Sequence, residues 1–141
     1  MEASGRPVED RMDSELGRIL RNERISPLFQ PVADALEQRI VCYEALSRGV
    51  YPLESPMDMF RTAAEAGLLW EAEEVARRAI IRKVASMKDT RGQRFFLNIS
   101  PTVICDDRMN PEYIMSSLDE FSLGLEHIGL EITSPVCEAP R

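Results

Sequence analysis

Helices are predicted in four segments of the chain, from apolar residues at helical spacing or from start and stop signals. The segments are residues 13–24, 55–67, 70–87 and 110–125. The first places Leu16, Ile19 and Leu20 on one face, as in a short amphipathic helix. Ser55 and Pro56 form a start signal, and Gly67 is typical of a helix end.

Short apolar runs between these helices predict four strands, at residues 28–30, 39–46, 94–99 and 129–133. Pro27 forces an extended entry to the first strand, and Pro31 is expected to limit it. The continuous apolar run at residues 40–43 is typical of a strand buried on both faces. Because these strands are separated by helices, the order predicts a parallel α/β sheet.

The charged residues of the longest helix are predicted to face solvent. Glu73 with Arg77, and Glu74 with Arg78, stand four residues apart in the favourable order for surface ion pairs. Asp106, in a loop that follows the third strand, is likewise interpreted as a solvated acid.

Composition narrows the class of protein. A chain of 141 residues suits one domain, and its polar opening predicts a flexible leader at residues 1–12 before a folded domain at 13–141. The net charge of -7 argues against binding to a nucleic acid polymer. No apolar run predicts a membrane segment. The three cysteines, an odd number at wide spacing, favour reduced thiols in a cytoplasmic protein.

In three predicted strands, an apolar run leads into a polar residue near the strand end: Glu44, Asn98 and Glu131. Each one alone could be a satisfied core residue or a loop cap. The C-terminal strand ends of a (β/α) barrel line its active site, so two carboxylates and a carboxamide could converge there. Such oxygen ligands suit magnesium or manganese rather than zinc. The pattern therefore indicates a candidate oxygen-rich metal site.

Four sequence blocks resemble EAL domains, the bacterial cyclic-di-GMP phosphodiesterase family. They are F-Q-P-V at 29–32, Y-E-A-L-S-R at 43–48, F-L-N-I-S-P at 96–101 and L-E-I-T at 130–133. A lone E-A-L tripeptide would carry no weight, but four blocks in family order are specific. The resemblance implies a partial TIM-type (β/α) barrel, comprising roughly the first four strands of an EAL domain.

The resemblance also implies roles for individual residues. Glu44, Asn98 and Glu131 would be ligands of catalytic Mg²⁺ or Mn²⁺. Arg48 would lie beside a substrate phosphate, and Gln30 and Leu46 near the nucleotide. The implied reaction is hydrolysis of cyclic-di-GMP to linear pGpG.

Two departures from the family pattern qualify this expectation. Ser134 stands where the family has a second glutamate, and the family's later aspartate pair, lysine strand and final glutamate are absent from the sequence. The catalytic set is thus incomplete, and we expect the chain alone to be inactive.

An open sheet edge predicts self-association, or that the chain was cut from a longer protein. The family resemblance implies further domains in such a protein, for example a diguanylate cyclase domain. One alternative is a degenerate, non-catalytic EAL module that binds nucleotide or a protein partner. A second is a structural α/β domain whose resemblance arose by chance.

Overall fold

The computed structural model describes residues 11–90 and 92–133. Most of the predicted leader, together with Ser134, lies outside these ranges. The elements in chain order are α1 (Glu15–Arg21), β1 (Ser26–Asp34), β2 (Arg39–Arg48), α2 (Pro56–Glu65), α3 (Leu69–Ala85), β3 (Arg94–Ile99), α4 (Pro101–Ile104), α5 (Pro111–Asp119) and β4 (Ile128–Ile132). The predicted α/β class is confirmed. Within the described ranges, no helix has both the length and the apolar character needed to cross a membrane.

The four strands form one sheet in the order β1-β2-β3-β4. β2, β3 and β4 are parallel, whereas β1 and β2 form an antiparallel hairpin. The prediction of a fully parallel sheet is therefore wrong for its first pair. Only residues 35–38 join these two strands, and a parallel crossover needs a dozen residues or more. Asp34 stabilises the turn, since its Oδ1 accepts the amides of Leu36 and Glu37 at 2.9 Å.

Two other predictions for the hairpin are wrong. β1 continues through Pro31 to Asp34 instead of stopping at the proline, because β1 lies at the edge of the described sheet, where a missing N–H is tolerated. The run at 40–43 is not buried on both faces, since Ile40 and Val41 are each 38% exposed. β3 pairs only with residues from Cys42 onward, so this end of the hairpin has no neighbour on that side.

Side-chain caps define three helix starts. Ser14 caps α1, Ser100 caps α4 and Asn110 caps α5, each by accepting a backbone N–H from the first turn. The short helix α4 was not predicted. Helix α5 ends at Asp119, six residues before its predicted end. Gly67, at φ 68°, ends α2 as predicted.

The helices pack on one face of the sheet, which gives two layers. The main core joins strand residues to α3 and α5: Ala45, Phe95, Leu97, Ile128, Ile80, Ile81, Val84 and Leu118. A second cluster joins α1, α2 and α3 around Leu16 and Met59. Because side chains alternate along a strand, the residues between the buried strand positions lie on the opposite, open face of the sheet.

Candidate functional site

Glu44, Asn98 and Glu131 all lie on the open face. On β2, Ala45 and Ser47 are buried toward the helices, so Glu44 points the other way. On β3, Leu97 and Ile99 are buried and Asn98 lies between them. Glu131 is exposed and pairs with Asn98 in the β3–β4 ladder. The three side chains therefore come from three adjoining strands and share one face.

Glu44 and Asn98 are in direct contact. The Nδ2 of Asn98 donates to Oε1 of Glu44 at 3.2 Å. The reverse orientation of the amide would bring two oxygens together, so the contact fixes which end of Asn98 faces the carboxylate. The sequence pattern indicated that the three residues could converge, and the structure brings Glu44 and Asn98 into contact.

The other end of the Asn98 amide has no partner. Its Oδ1 is buried and accepts no hydrogen bond within the described part of the chain. Leaving a buried acceptor unpaired costs roughly 1–3 kcal/mol, so this oxygen favours a donor or a cation. Together with two carboxylates, it forms a set of hard oxygen donors of the kind that divalent cations such as Mg²⁺ and Mn²⁺ accept. The residues present thus fit a divalent cation.

This donor set contains only two carboxylates. Within residues 11–90 and 92–133, no group of three or more His, Cys, Asp or Glu side chains is placed to hold a metal ion. The third donor would be the carboxamide of Asn98. A complete coordination shell therefore needs further oxygens, from water, from a phosphate or from other protein groups.

The predicted nucleotide-contacting residues lie on the same face. Gln30 pairs with Glu44 across the hairpin, and Leu46 pairs with Leu28. Arg48 is exposed at the end of β2, and its Nη1 donates to the carbonyl of Ser47 at 3.4 Å. Four residues separate Glu44 from Arg48, or about 13 Å along an extended strand. The residues could therefore contact different parts of an extended ligand.

Phe96 is a further residue of this face that the sequence reasoning missed. It is opposite Glu44 in the β2–β3 ladder and opposite Gly129 in the β3–β4 ladder. A Cβ on Gly129 would lie only 2.5 Å from the Phe96 ring, so the glycine lets the ring lie across β4. The signal was in the sequence, since both residues stand two positions before a predicted site residue.

The prediction that Glu73 and Arg77 face solvent is wrong, whereas the ion pair between them forms as predicted. Both are only 6% exposed, and they form an ion pair at 3.6 Å. The other predicted pair does not form as expected, because Arg78 binds Glu120 through two hydrogen bonds at 2.8 and 2.9 Å. Helical spacing already places Glu73 on the apolar stripe of α3, three residues before Ala76 and seven before Ile80, but its charge was taken as a sign of solvent exposure.

Asp106 and Arg108 form an ion pair in the loop after α4. The Arg108 guanidinium donates to both oxygens of Asp106, at 2.9 and 2.8 Å. This hydrogen bonding lowers the pKa of the Asp106 carboxyl to about 2. The Asp106 side chain is 28% exposed, so it is only partly solvated, where the sequence predicted a solvated acid. Arg108 also stacks over the Trp70 ring at 4.4 Å, which ties the loop to the start of α3.

Comparisons with known proteins give a consistent result. The family model for the EAL domain matches residues 13–140. No curated protein matches the sequence. Among solved structures, the chain resembles the PaMucR phosphodiesterase in complex with c-di-GMP, with a TM-score of 0.74 and 19% identity over 85% of this chain and 50% of that chain.

Two other structures are similar. The Xanthomonas citri FimX EAL domain in complex with c-di-GMP has a TM-score of 0.68 and 22% identity, over 89% of this chain and 51% of that one. Klebsiella pneumoniae BlrP1 with calcium and cyclic-di-GMP has a TM-score of 0.64 and 18% identity, over 81% of this chain and 28% of that one. A third structure, BlrP1 with manganese and cyclic-di-GMP, has a TM-score of 0.59 and 17% identity, over 88% of this chain and 35% of that one.

These matches establish the fold and the family. The chain spans between about a quarter and about half of the length of the solved relatives named above. Its mixed sheet with helices on one face corresponds to the N-terminal part of the TIM-barrel-like EAL fold. The match of the family model covers most of the sequence. The chain belongs to the EAL domain family.

Proposed function

We propose that this chain is part of a signalling domain that hydrolyses cyclic-di-GMP to pGpG with the help of divalent metal ions. The observation that carries the proposal is the Glu44–Asn98 contact, which leaves the buried Oδ1 of Asn98 unpartnered on the face that also holds Glu131. Similar structures that contain the dinucleotide, from PaMucR and FimX, support the choice of ligand.

In this proposal, Glu44, Asn98 and Glu131 hold Mg²⁺ or Mn²⁺. Similar structures of BlrP1 contain manganese or calcium together with cyclic-di-GMP, which supports the choice of a divalent cation. Such a metal lowers the pKa of a bound water and neutralises charge on phosphoryl oxygens. Its charge also offsets the net -7 of the chain, which would otherwise repel a phosphate.

Other residues of the open face would bind the nucleotide. The exposed guanidinium of Arg48 can donate two parallel hydrogen bonds to a phosphate. Gln30 and Leu46 would contact the rest of the dinucleotide, one through its amide and the other through its apolar surface. Phe96 adds an aromatic ring on which a base could stack.

We propose that turnover also requires the family's later carboxylates and lysine, so that these 141 residues bind the dinucleotide without hydrolysing it. The free thiols of Cys42 and Cys105 support a cytoplasmic location, where cysteines stay reduced. A second candidate function is a non-catalytic EAL module. Ser134, in place of the family's glutamate, favours that candidate.

Titration of the chain with cyclic-di-GMP in the presence of Mn²⁺ tests the proposal. We expect Glu44→Gln to weaken binding at least tenfold, because it removes one carboxylate oxygen from the metal. Glu65→Gln, an exposed residue at the end of α2, is the matched control and should bind like the wild type. Equal affinity in Glu44→Gln and wild type would contradict the metal-ligand role. Chromatography of the same samples would reveal pGpG, whose formation would show that the later blocks are not required.

A further inference from the structure

A buried carboxylate holds the end of β3 from the helix side. Glu73, on α3, accepts the backbone N–H of Ser100 with both of its oxygens, at 3.2 and 3.3 Å. Its side chain is only 8% exposed. Ser100 follows β3 directly and stands two residues after Asn98. Since both oxygens share one hydrogen, a sideways shift of the backbone in either direction lengthens one of the two contacts.

Arg77 supplies the counter-charge for this buried carboxylate, with its Nη1 3.6 Å from Oε2 of Glu73. Its guanidinium lies over the rings of Trp70 and Tyr113, at 5.3 and 5.8 Å, and donates to the Tyr113 hydroxyl at 3.3 Å. That hydroxyl in turn contacts Glu74 at 3.3 Å. The cluster therefore links α3 and α5 to the end of β3.

The segment from Asn98 to Ser100 is held from both faces of the sheet. On the open face, the amide of Asn98 contacts Glu44. On the helix face, Glu73 holds the N–H of Ser100. Between them, Ile99 is fully buried against Trp70 and Val103. A change at Glu73 must therefore be transmitted to Asn98 through only two peptide units.

We propose that Glu73 is a positioning residue for Asn98: its carboxylate fixes the end of β3 and so holds the Asn98 amide with Nδ2 on Glu44 and Oδ1 unpartnered. The importance of this position for metal binding rests on the function proposed above, whereas the positioning itself does not. The alternative is that Glu73 and Arg77 form an ion pair that supports the fold without setting the Asn98 side chain.

Two substitutions break the contact from opposite sides. Glu73→Gln keeps the size of the side chain but leaves Arg77 without its counter-charge, and an amide cannot present two acceptors to one N–H. Ser100→Pro removes the N–H itself, and because the proline Cδ takes the place of that hydrogen, the Glu73 carboxylate must also move away. Proline is compatible with the backbone there, because Ser100 has φ -74°.

Each variant has a matched control. Glu74→Gln makes the same chemical change on the neighbouring residue, which contacts Tyr113 and not Ser100. Ser100→Ala removes the hydroxyl that caps α4 but keeps the backbone N–H. If Glu73→Gln fails to fold, Ser100→Pro with Ser100→Ala still decides the question.

The readout is the side-chain amide of Asn98 in NMR spectra of the full chain, without metal. We expect Glu73→Gln and Ser100→Pro to move both proton signals of that amide, while the two controls leave them in place. Hydrogen exchange at the backbone N–H of residue 100 should accelerate at least tenfold in Glu73→Gln and stay unchanged in the two controls. Ser100→Pro has no N–H at this position. If the Asn98 signals stay in place in both test variants, the proposal is overturned, whether or not the melting temperature falls. Glu73 and Arg77 would then only support the fold.

A Mn²⁺ titration of the same samples separates this proposal from the proposed function. If Asn98 is a ligand, Glu73→Gln should bind Mn²⁺ about tenfold more weakly than Glu74→Gln. If the wild-type chain binds no Mn²⁺, the metal role fails, and the Asn98 amide signals alone decide whether Glu73 positions that residue.

Discussion

Asn98 is the residue on which the candidate site depends most. Its amide presents a donor to Glu44 at one end and an unpartnered, buried acceptor at the other. An aspartate at this position would place a second negative charge beside Glu44 and could not donate to it. The carboxamide therefore combines two features that a carboxylate could not: it donates to Glu44 and keeps a buried acceptor oxygen for the proposed cation.

Asp106 provides a pH prediction at the same scale. Its folded pKa of about 2 lies below the ordinary value of 3.8, because Arg108 stabilises the ionised form. The stability contributed by this pair is therefore fully present above about pH 4 and is lost as the pH falls through 2. We expect a carboxyl NMR titration of Asp106 to show a midpoint near 2.

Arg108→Gln should raise that midpoint toward 3.8 without reaching it, because the backbone N–H of Arg108 still donates to Asp106. Arg61→Gln, in a pair with Asp58 on α2, is the control and should leave the midpoint near 2. An unchanged midpoint in Arg108→Gln would show that the guanidinium does not cause the shift.

At the scale of elements, the sequence predicted the strands around the site better than the way they pair. The ends of β3 and β4 were found nearly to the residue, since each ends where an apolar run meets a polar residue. The hairpin was missed because the periodicity of a strand does not show whether it runs parallel or antiparallel to its neighbour. Its direction was set by the short connection at residues 35–38, whose turn is stabilised by Asp34.

The helix caps give a prediction for single elements. Asn110 Oδ1 accepts the N–H of Tyr113 at 2.9 Å, whereas Ser55 makes no side-chain hydrogen bond at the start of α2. Asn110→Ala should therefore lower the free energy of unfolding by about 1 kcal/mol, and Ser55→Ala by clearly less. Urea denaturation of both variants measures the difference. Equal losses would mean that the cap hydrogen bond does not account for the effect.

On the scale of the whole molecule, the sheet has helices on one face only. Apolar side chains remain exposed on or beside the open face, among them Leu28 at 47% and Val32 at 42%. Within the described residues, β1 and β4 each pair with one neighbour. An uncovered face and two unpaired edges favour association with other protein surfaces.

We therefore expect the isolated chain to self-associate as its concentration rises. Leu28→Lys should weaken association, because it places a charge on the open face. Leu36→Lys changes a residue that is 96% exposed in the β1–β2 turn and should have little effect. Sedimentation velocity measures all three proteins. A wild-type chain that remains monomeric across the concentration range would contradict this prediction.

The sequence alone was sufficient for the family and for the ends of β3 and β4, since these depend on motifs and on local order. The roles of Glu44, Asn98 and Glu131 as ligands stay a prediction. Sequence reasoning missed the burial of Glu73, although this residue stands three, seven and eleven positions before Ala76, Ile80 and Val84 and therefore lies on their stripe of α3. Its burial results from α4 and α5, which pack against α3 from far along the chain. Phe96 was missed because its role depends on Gly129 in another strand.

The central claim is that Glu44, Asn98 and Glu131 hold one divalent cation. Paramagnetic broadening of NMR signals by small amounts of Mn²⁺ tests it most directly, because it detects weak binding and locates the ion. We predict selective broadening of signals from these three residues, which Glu44→Gln abolishes and Glu65→Gln preserves. Broadening centred elsewhere, or equal in wild type and Glu44→Gln, would contradict the claim.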